Sequence, residues 1–188
     1  LPRSRGLGDV YKRQELDFLV HSLAYADTQD LSKPFSETLR DGFNKAMEIS
    51  AYSLLPLAKG VIPMMRKRGG GSIVSMSFIG STLAVPNYNV MGPAKAALES
   101  CTRYLARELG PENIRINSLS PGAIRTLSSA GIKDISEMIR VAGEHSAMKR
   151  TATQAEVANT AAFLLRDAAS GMTGQLFYVD CGCSIMAK

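Results

Sequence analysis

The feature that most restricts the fold is an alternation along the chain: short apolar runs rich in β-branched residues, separated by longer stretches whose apolar residues recur every three or four positions. "LDFLVHS" (16–22), "GGGSIVSMSF" (69–78), "IRINSLSPG" (114–122) and "GQLFYVDCG" (174–182) have the length and composition of strands. Parallel strands need long crossovers, and the intervening stretches are helical in pattern. The expected architecture is therefore α/β, a partial Rossmann-type doubly wound parallel sheet with helices on both faces. One helix is expected from about Ser36 to Met65, with Phe43, Met47, Ile49, Leu54, Leu57 and Val61 on its apolar face and a bend near Pro56. A second runs through Tyr88 and stops at Gly110-Pro111, and a third covers 153–166, where Thr153 and Glu156 have capping-box spacing. Between 123 and 150 lie small residues and one short helical patch, "ISEMIRVA", which suits a lid better than a core element.

Within the second helical pattern, "YNVMGPAK" (88–95) sets a tyrosine and a lysine seven positions apart. Seven residues at about 100° each turn a helix through roughly 700°, about 20° short of two turns, so Tyr88 and Lys95 would share a face. Val90, Met91, Ala94, Ala97, Leu98 and Cys101 mark a different, apolar face. Gly92 lies midway between the pair, and its bare backbone would let a flat ligand lie close.

Composition removes several classes of function. An apolar fraction of 45% with 21% charged residues is that of an ordinary globular domain. The formal charge of +5 owes +3 to the first fourteen residues, where Arg3, Arg5, Lys12 and Arg13 face only Asp9. The remainder carries no basic stripe interleaved with aromatics, so no nucleic acid is expected as a partner. No apolar run reaches the ~18 residues of a membrane span. Cys101, Cys181 and Cys183 form an odd set, which points to a reduced, cytoplasmic protein rather than a disulfide framework. The "CGC" at 181–183 has no second Cys or His pair at zinc spacing; no metal site is expected. Residues 1–14 show no apolar periodicity and are read as a sequencing-adaptor scar, not native sequence. The rest, 15–188, is then expected to be the C-terminal two thirds of one Rossmann-like domain. Its glycine-rich phosphate-binding turn would lie upstream, and a chain without that turn is expected to bind nucleotide weakly if at all, which keeps open a non-catalytic fragment or binding subunit as an alternative to an enzyme.

The segments "DFLVHSLAYA", "ISAYSLLPLAK", "PNYNVMGPAKAALE", "LGPENIRINSLSPGAIRTLSSAGIKD" and "VDCGCSI" together resemble the bacterial NADH-dependent enoyl-acyl-carrier-protein reductases, a divergent branch of the short-chain dehydrogenases. The likeness extends from about Leu16 to Ala187. Its most specific element is the seven-residue Tyr–Lys spacing, because most short-chain dehydrogenases place the lysine four residues after the tyrosine, where this chain has Gly92. The resemblance implies reduction of the 2,3 double bond of an enoyl thioester in fatty acid elongation. It also implies NADH as cofactor (NADPH is not excluded), acyl carrier protein as the substrate's carrier, and a homotetramer.

Site residues follow from the same resemblance. Tyr88 would donate a hydrogen bond to the developing enolate, and Lys95 would hold the nicotinamide ribose and favour donation by the phenol. Ser22, Leu23 and Ala24 close the first strand at its C-terminal end, where open α/β sheets bind ligands. With Ser77 and the run Gly122, Ala123, Ile124, Arg125, Thr126, Leu127 and Ser128, they are expected against the cofactor. Ala26, Phe78, Tyr88 and Met91 are expected against the substrate; Ile132, Ile135 and Met138, which recur at three-residue steps, are either the lining of an acyl pocket beneath the lid or the packing face of a short helix; and Lys133 and Arg140 are candidates for a basic rim that greets an acidic carrier, with Glu137 counting against it. Phe78 occupies a position where many relatives have a second tyrosine, so it can wall the site but cannot relay a proton. His21, with no carboxylate or nucleophile paired to it in the sequence, is read as structural. A second possibility is a short-chain dehydrogenase acting on a 3-oxoacyl or alcohol substrate; Ser75 and Ser77, shortly before Tyr88, keep it open, and Gly92 counts against it.

Overall fold

The computed structural model describes residues 15–126, 129 and 133–187. Its four strands, β1 (Phe18–His21), β2 (Gly71–Met76), β3 (Ile114–Pro121) and β4 (Leu176–Val179), form one sheet in the order β1-β2-β3-β4. All three pairings are parallel, with Val20 opposite Val74, Val74 opposite Asn117 and Leu119 opposite Phe177. Each apolar run expected to be a strand supplies one, trimmed at its ends. The helices are α1 (Thr28–Ser32), α2 (Arg40–Met47), α3 (Leu54–Lys67), α4 (Met91–Leu109), α5 (Ile135–His145) and α6 (Gln154–Leu165).

Strand parity assigns the two faces. On β2, Ile73 packs with α3 and α4, while Val74 packs with α6; on β3, Ile114 and Ile116 join the first group and Leu119 the second. A period of two thus divides one continuous apolar run between two cores, which is why the central strands read as nearly unbroken hydrophobic sequence. The polar residues keep the same parity. Ser75 and Ser118 point toward α4, where their hydroxyls meet each other at 2.8 Å and Thr102 Oγ1 at 3.0 and 3.1 Å.

The helix expected from Ser36 to Met65 is not continuous. A 3-10 turn (Phe35–Glu37) precedes α2, and a π-turn (Glu48–Tyr52) separates α2 from α3. Pro56 has no amide to offer the Tyr52 carbonyl four residues back, and its ring crowds that position; widening the ladder upstream absorbs the misfit. At its other end α3 stops in a Schellman arrangement, with Gly69 N–H donating to Arg66 O and Gly70 N–H to Met65 O. Gly69 there has φ 77°, which explains the glycine run just before β2. The capping box of α6 is formed: Thr153 Oγ1 accepts from Glu156 N at 3.2 Å and the Glu156 carboxylate accepts from Thr153 N at 2.8 Å. Among the described residues no helix is long and apolar enough to cross a membrane.

Candidate active site

The C-terminal ends of β1, β2 and β3 open into a cavity of about 500 Å³. Ser22 and Ala24 to Ala26 reach it from β1, Met76 to Phe78 from β2, and Pro121 to Ile124 from β3. Tyr88, Met91 and Lys95 form one wall, and Ile135 and Met138 of α5 stand across from the sheet. Its position beyond the carboxyl ends of parallel strands is where this architecture places ligand sites.

Tyr88 is not in α4 itself. It sits in the turn just before it, between Asn87 and Asn89, both with positive φ (59° and 28°). Its carbonyl accepts from Met91 N at 2.9 Å and so starts the helix. The ideal-helix phase expected for the pair therefore does not apply, yet both side chains line the cavity. Gly92 also has a different reason from the one expected. A Cβ there would stand 2.8 Å from the Gly80 carbonyl oxygen, so its bare backbone admits the neighbouring turn rather than a ligand. Gly80 in turn has the Tyr88 ring where its own Cβ would be, at 2.5 Å. Two glycines thus fix the tyrosine's position.

The electrostatics of the pair are set by burial. The Tyr88 side chain is 7% exposed, and its hydroxyl makes no hydrogen bond among the described residues. Burial pushes the phenol above its ordinary range, so it remains a protonated donor through neutral pH. The expected lowering by Lys95 is not what dominates. Burial also brings Lys95 down to about 8, opposed by the charge of Glu99. The ammonium donates to the Met76 carbonyl at 2.7 Å. Phe78 packs on Tyr88 with ring centroids 4.8 Å apart and planes tilted by 58°.

Of the residues expected at the site, the structure brings Ser22, Ala24, Ala26, Ser77, Phe78, Tyr88, Met91, Lys95, Gly122, Ala123, Ile124, Thr126, Ile135 and Met138 to this cavity. Leu23 does not line it and is 49% exposed. Arg125 turns away as well, its guanidinium donating to Ser136 Oγ at 2.7 Å and its carbonyl accepting from Gln154 at 2.8 Å. Leu127, Ser128 and Ile132 lie outside the described residues, as do residues 1–14. Arg140 is a poor rim cation, because Glu137 and Glu144 on its own helix grip it at 2.6 and 2.5 Å. His21 is buried and bonded to Ser53 Oγ at 2.8 Å, in keeping with a structural role.

Sequence reasoning missed Tyr25, Thr28, Leu31, Met76, Pro121 and Ser129 on the cavity wall. Met76 and Pro121 are the last residues of their strands, a position that could have flagged them. Tyr25, Thr28 and Leu31 belong to α1 and its approach, where the pattern gave no sign of a helix. Ser75, which kept a carbonyl-reducing dehydrogenase open, is fully buried in the hydroxyl cluster under the sheet.

An open parallel α/β sheet with a buried tyrosine and lysine at its carboxyl edge defines a Rossmann-type oxidoreductase fold of the short-chain dehydrogenase kind. The family model described as enoyl-(acyl carrier protein) reductase matches residues 9–184. The chain belongs to that family. It is 52% identical over 171 residues to the enoyl-acyl-carrier-protein reductase (NADH) FabI of Nostoc sp., covering 91% of this chain and 66% of that protein. It is 47% identical over 167 residues to the Staphylococcus aureus reductase (NADPH) FabI, covering 89% and 64%. Among solved structures, FabI from Candidatus Liberibacter asiaticus superposes with a TM-score of 0.91 at 39% identity, covering 96% of this chain and 69% of that one. The Anaplasma phagocytophilum reductase in complex with NAD superposes with a TM-score of 0.89 at 38% identity, covering 95% and 68%. The chain therefore spans about two thirds of the length of the proteins it matches.

Proposed function

We propose that this chain carries the catalytic wall of an enoyl-acyl-carrier-protein reductase: it reduces the 2,3 double bond of an enoyl thioester, delivered on acyl carrier protein, with NADH. The observation that carries the reading is the buried Tyr88 phenol, protonated and without a partner among the described residues, in one cavity with the Lys95 ammonium. The family membership and the cofactors of the relatives, NADH for most and NADPH for the Staphylococcus aureus protein, support it.

The donor set fits the nicotinamide end of the cofactor. Lys95 and the Ser22 and Thr126 hydroxyls can meet ribose oxygens, and the backbone of Gly122 to Ile124 can meet a carboxamide. When bound, the dihydronicotinamide supplies the hydride that reaches the β-carbon of the enoyl thioester. Negative charge then gathers on the thioester oxygen. Tyr88 is suited to donate to that oxygen: its proton stays in place at neutral pH, and no acceptor among the described residues competes for it. Phe78 shields the phenol from water but has no hydroxyl to pass on a proton, so the α-carbon takes its proton from solvent. Ala26, Met91, Ile135 and Met138 give the acyl chain an apolar wall.

The same reading includes a cytoplasmic homotetramer. Cys101 and Cys181 are free thiols, and large apolar side chains, among them Tyr104, Phe163 and Ile185, stand exposed on the outer surface. Lys133, exposed beside α5, is the rim cation left for an acidic carrier.

The test is NADH oxidation with crotonyl thioester against acetoacetyl thioester. The reading expects turnover of the enoyl substrate and little of the keto one. Faster turnover of acetoacetyl thioester would replace it with a carbonyl reductase.

A further inference from the structure

One buried carboxylate has no part in the chemistry above. Glu99 lies one turn after Lys95 on α4, and both are at least nine-tenths buried, with 7% and 5% of their surfaces exposed. Ser77, also buried, donates its hydroxyl hydrogen to the Glu99 carboxylate. Ser77 follows directly on Met76, whose carbonyl receives the Lys95 ammonium. Two successive residues at the end of β2 therefore bind the two buried charges of α4, the cation through a main-chain oxygen and the anion through a side chain. A carboxylate this deep needs a reason, because desolvation of an ion is costly unless an opposite charge or good hydrogen bonds compensate it.

We propose that Glu99 is a positioning residue for Lys95: anchored by Ser77, its carboxylate is the counter-charge that holds the lysine ammonium at the Met76 carbonyl, at the edge of the cavity. The inference rests on reading this cavity as the reductase site, but its test does not depend on turnover. Burial alone favours a neutral lysine, and the groups facing Lys95 act in two directions. Glu99, on the same helix, favours the charged form. His21, on β1, is itself kept neutral by burial and by the lysine's charge. Tyr88, from the turn, stays a neutral phenol. Glu99 is thus the charge that opposes desolvation. A neutral amine would still reach a carbonyl or a ribose hydroxyl, but it would not bring positive charge to the site.

The experiment is competitive acetylation of Lys95 by trace acetic anhydride across pH 6 to 11 (about the span where a buried lysine titrates), read by peptide mass spectrometry. The parent is expected to give a midpoint near 8. Glu99→Gln keeps the size and a hydrogen-bond acceptor for Ser77 and removes the charge; its midpoint is expected to fall by about one pH unit. Ser77→Ala, which frees the carboxylate without removing it, is expected to lower the midpoint by less. A merely structural Glu99 predicts the reverse, since a loosened site hydrates Lys95 and moves its midpoint up toward the ordinary 10.5. An unchanged or raised midpoint in Glu99→Gln overturns the proposal, and if that variant does not fold, the same result in Ser77→Ala does. A lowered midpoint in a protein that reduces no enoyl thioester would leave the Glu99–Lys95 coupling standing and remove only the reductase reading.

Discussion

The two ends of the sheet carry openings of similar size, about 500 Å³ at the carboxyl end and about 550 Å³ at the amino end. Volume does not distinguish them; the state of their polar groups does. At the amino end, Arg68 pairs with Asp17 at 2.6 Å, and Arg115 donates to the carbonyls of Met172 and Arg166 at 3.3 and 3.1 Å. Asn113 closes on Gly69 O at 3.1 Å. At the carboxyl end a phenol and an ammonium are buried together, and the phenol has no acceptor among the described residues. One end has spent its hydrogen bonds on the fold, and the other keeps a strong donor in reserve for something that is not protein. A ring buried in protein with its hydroxyl turned to a cavity is a pattern more often found where a ligand supplies the acceptor.

The comparison breaks most sharply at Tyr88. Tyr88→Phe removes only the hydroxyl, so turnover with crotonyl thioester should fall by about 10²–10³, equivalent to about 3–4 kcal/mol of transition-state stabilisation. The thermal midpoint should stay level, since the hydroxyl faces the cavity and bonds no described residue. A variant of unchanged activity would show that the reserve donor at the carboxyl end serves no reaction. Arg115→Met is the matching change at the other end. It strands two carbonyls and should cost about 1–3 kcal/mol of stability in urea unfolding, with the ratio of enoyl to keto activity unchanged. If Arg115→Met altered substrate preference, the amino end would be more than structure.

Gly92→Ala probes how the carboxyl end is built. Its Cβ would meet the Gly80 carbonyl oxygen at 2.8 Å, a clash with backbone rather than with a flexible side chain. The expected cost is about 1–3 kcal/mol of stability, with activity falling as well because Gly80 is in direct contact with the Tyr88 ring. Loss of stability without loss of activity would separate the two glycines from the placement of the phenol.

How much of this could be read in the sequence follows from which physical signals are local. The four strands were legible because central parallel strands are apolar on both faces, and α6 because Thr153 and Glu156 advertise its start. Helix α1 was not, since five residues are too few to show a period, and with it went Tyr25, Thr28 and Leu31 on the cavity wall. The π-turn ahead of Pro56 was visible only as an expected bend, because apolar spacing does not report a change of pitch. Tyr88 and Lys95 were found by a spacing that holds, on a geometric ground that holds only in part. The left-handed turns at Asn87 and Asn89 are not encoded in any periodicity. Glu99 carried a signal that went unused, an acidic residue four positions after a candidate active-site lysine, where a helix makes the two neighbours.

A pH series sharpens the comparison through Lys95. In the folded chain its pKa is about 8, below the ordinary 10.5 it takes when unfolded. Between those values the unfolded state binds more protons, so this group's contribution to stability rises with pH from about 8 to about 10.5 and is unfavourable below. Lys95→Met should therefore be more stable than the parent at pH 7 and lose that advantage as pH climbs through the window. Urea midpoints of the two proteins measured side by side would show it. A difference that stays flat from pH 7 to 10 (about the accessible part of that window) would mean that Lys95 is as well hydrated as a surface lysine.

The smallest effect is expected from Arg68→Gln at the amino end. Arg68 contacts Asp17 at 2.6 Å and Glu15 at 3.8 Å, but its side chain is 49% exposed and both carboxylates are more exposed still. Water competes for each of these groups, so removing the charge should cost no more than about 0.5 kcal/mol. Salt should reveal the same thing, since screening an exposed pair at about 0.5 M ionic strength already removes most of its attraction. A loss several times larger would require Arg68 to hold the Gly69–Gly71 turn in place, and with it the start of β2. The amino end would then be tensioned by one side chain, and its apparent self-sufficiency would be a property of the arginine rather than of the turn.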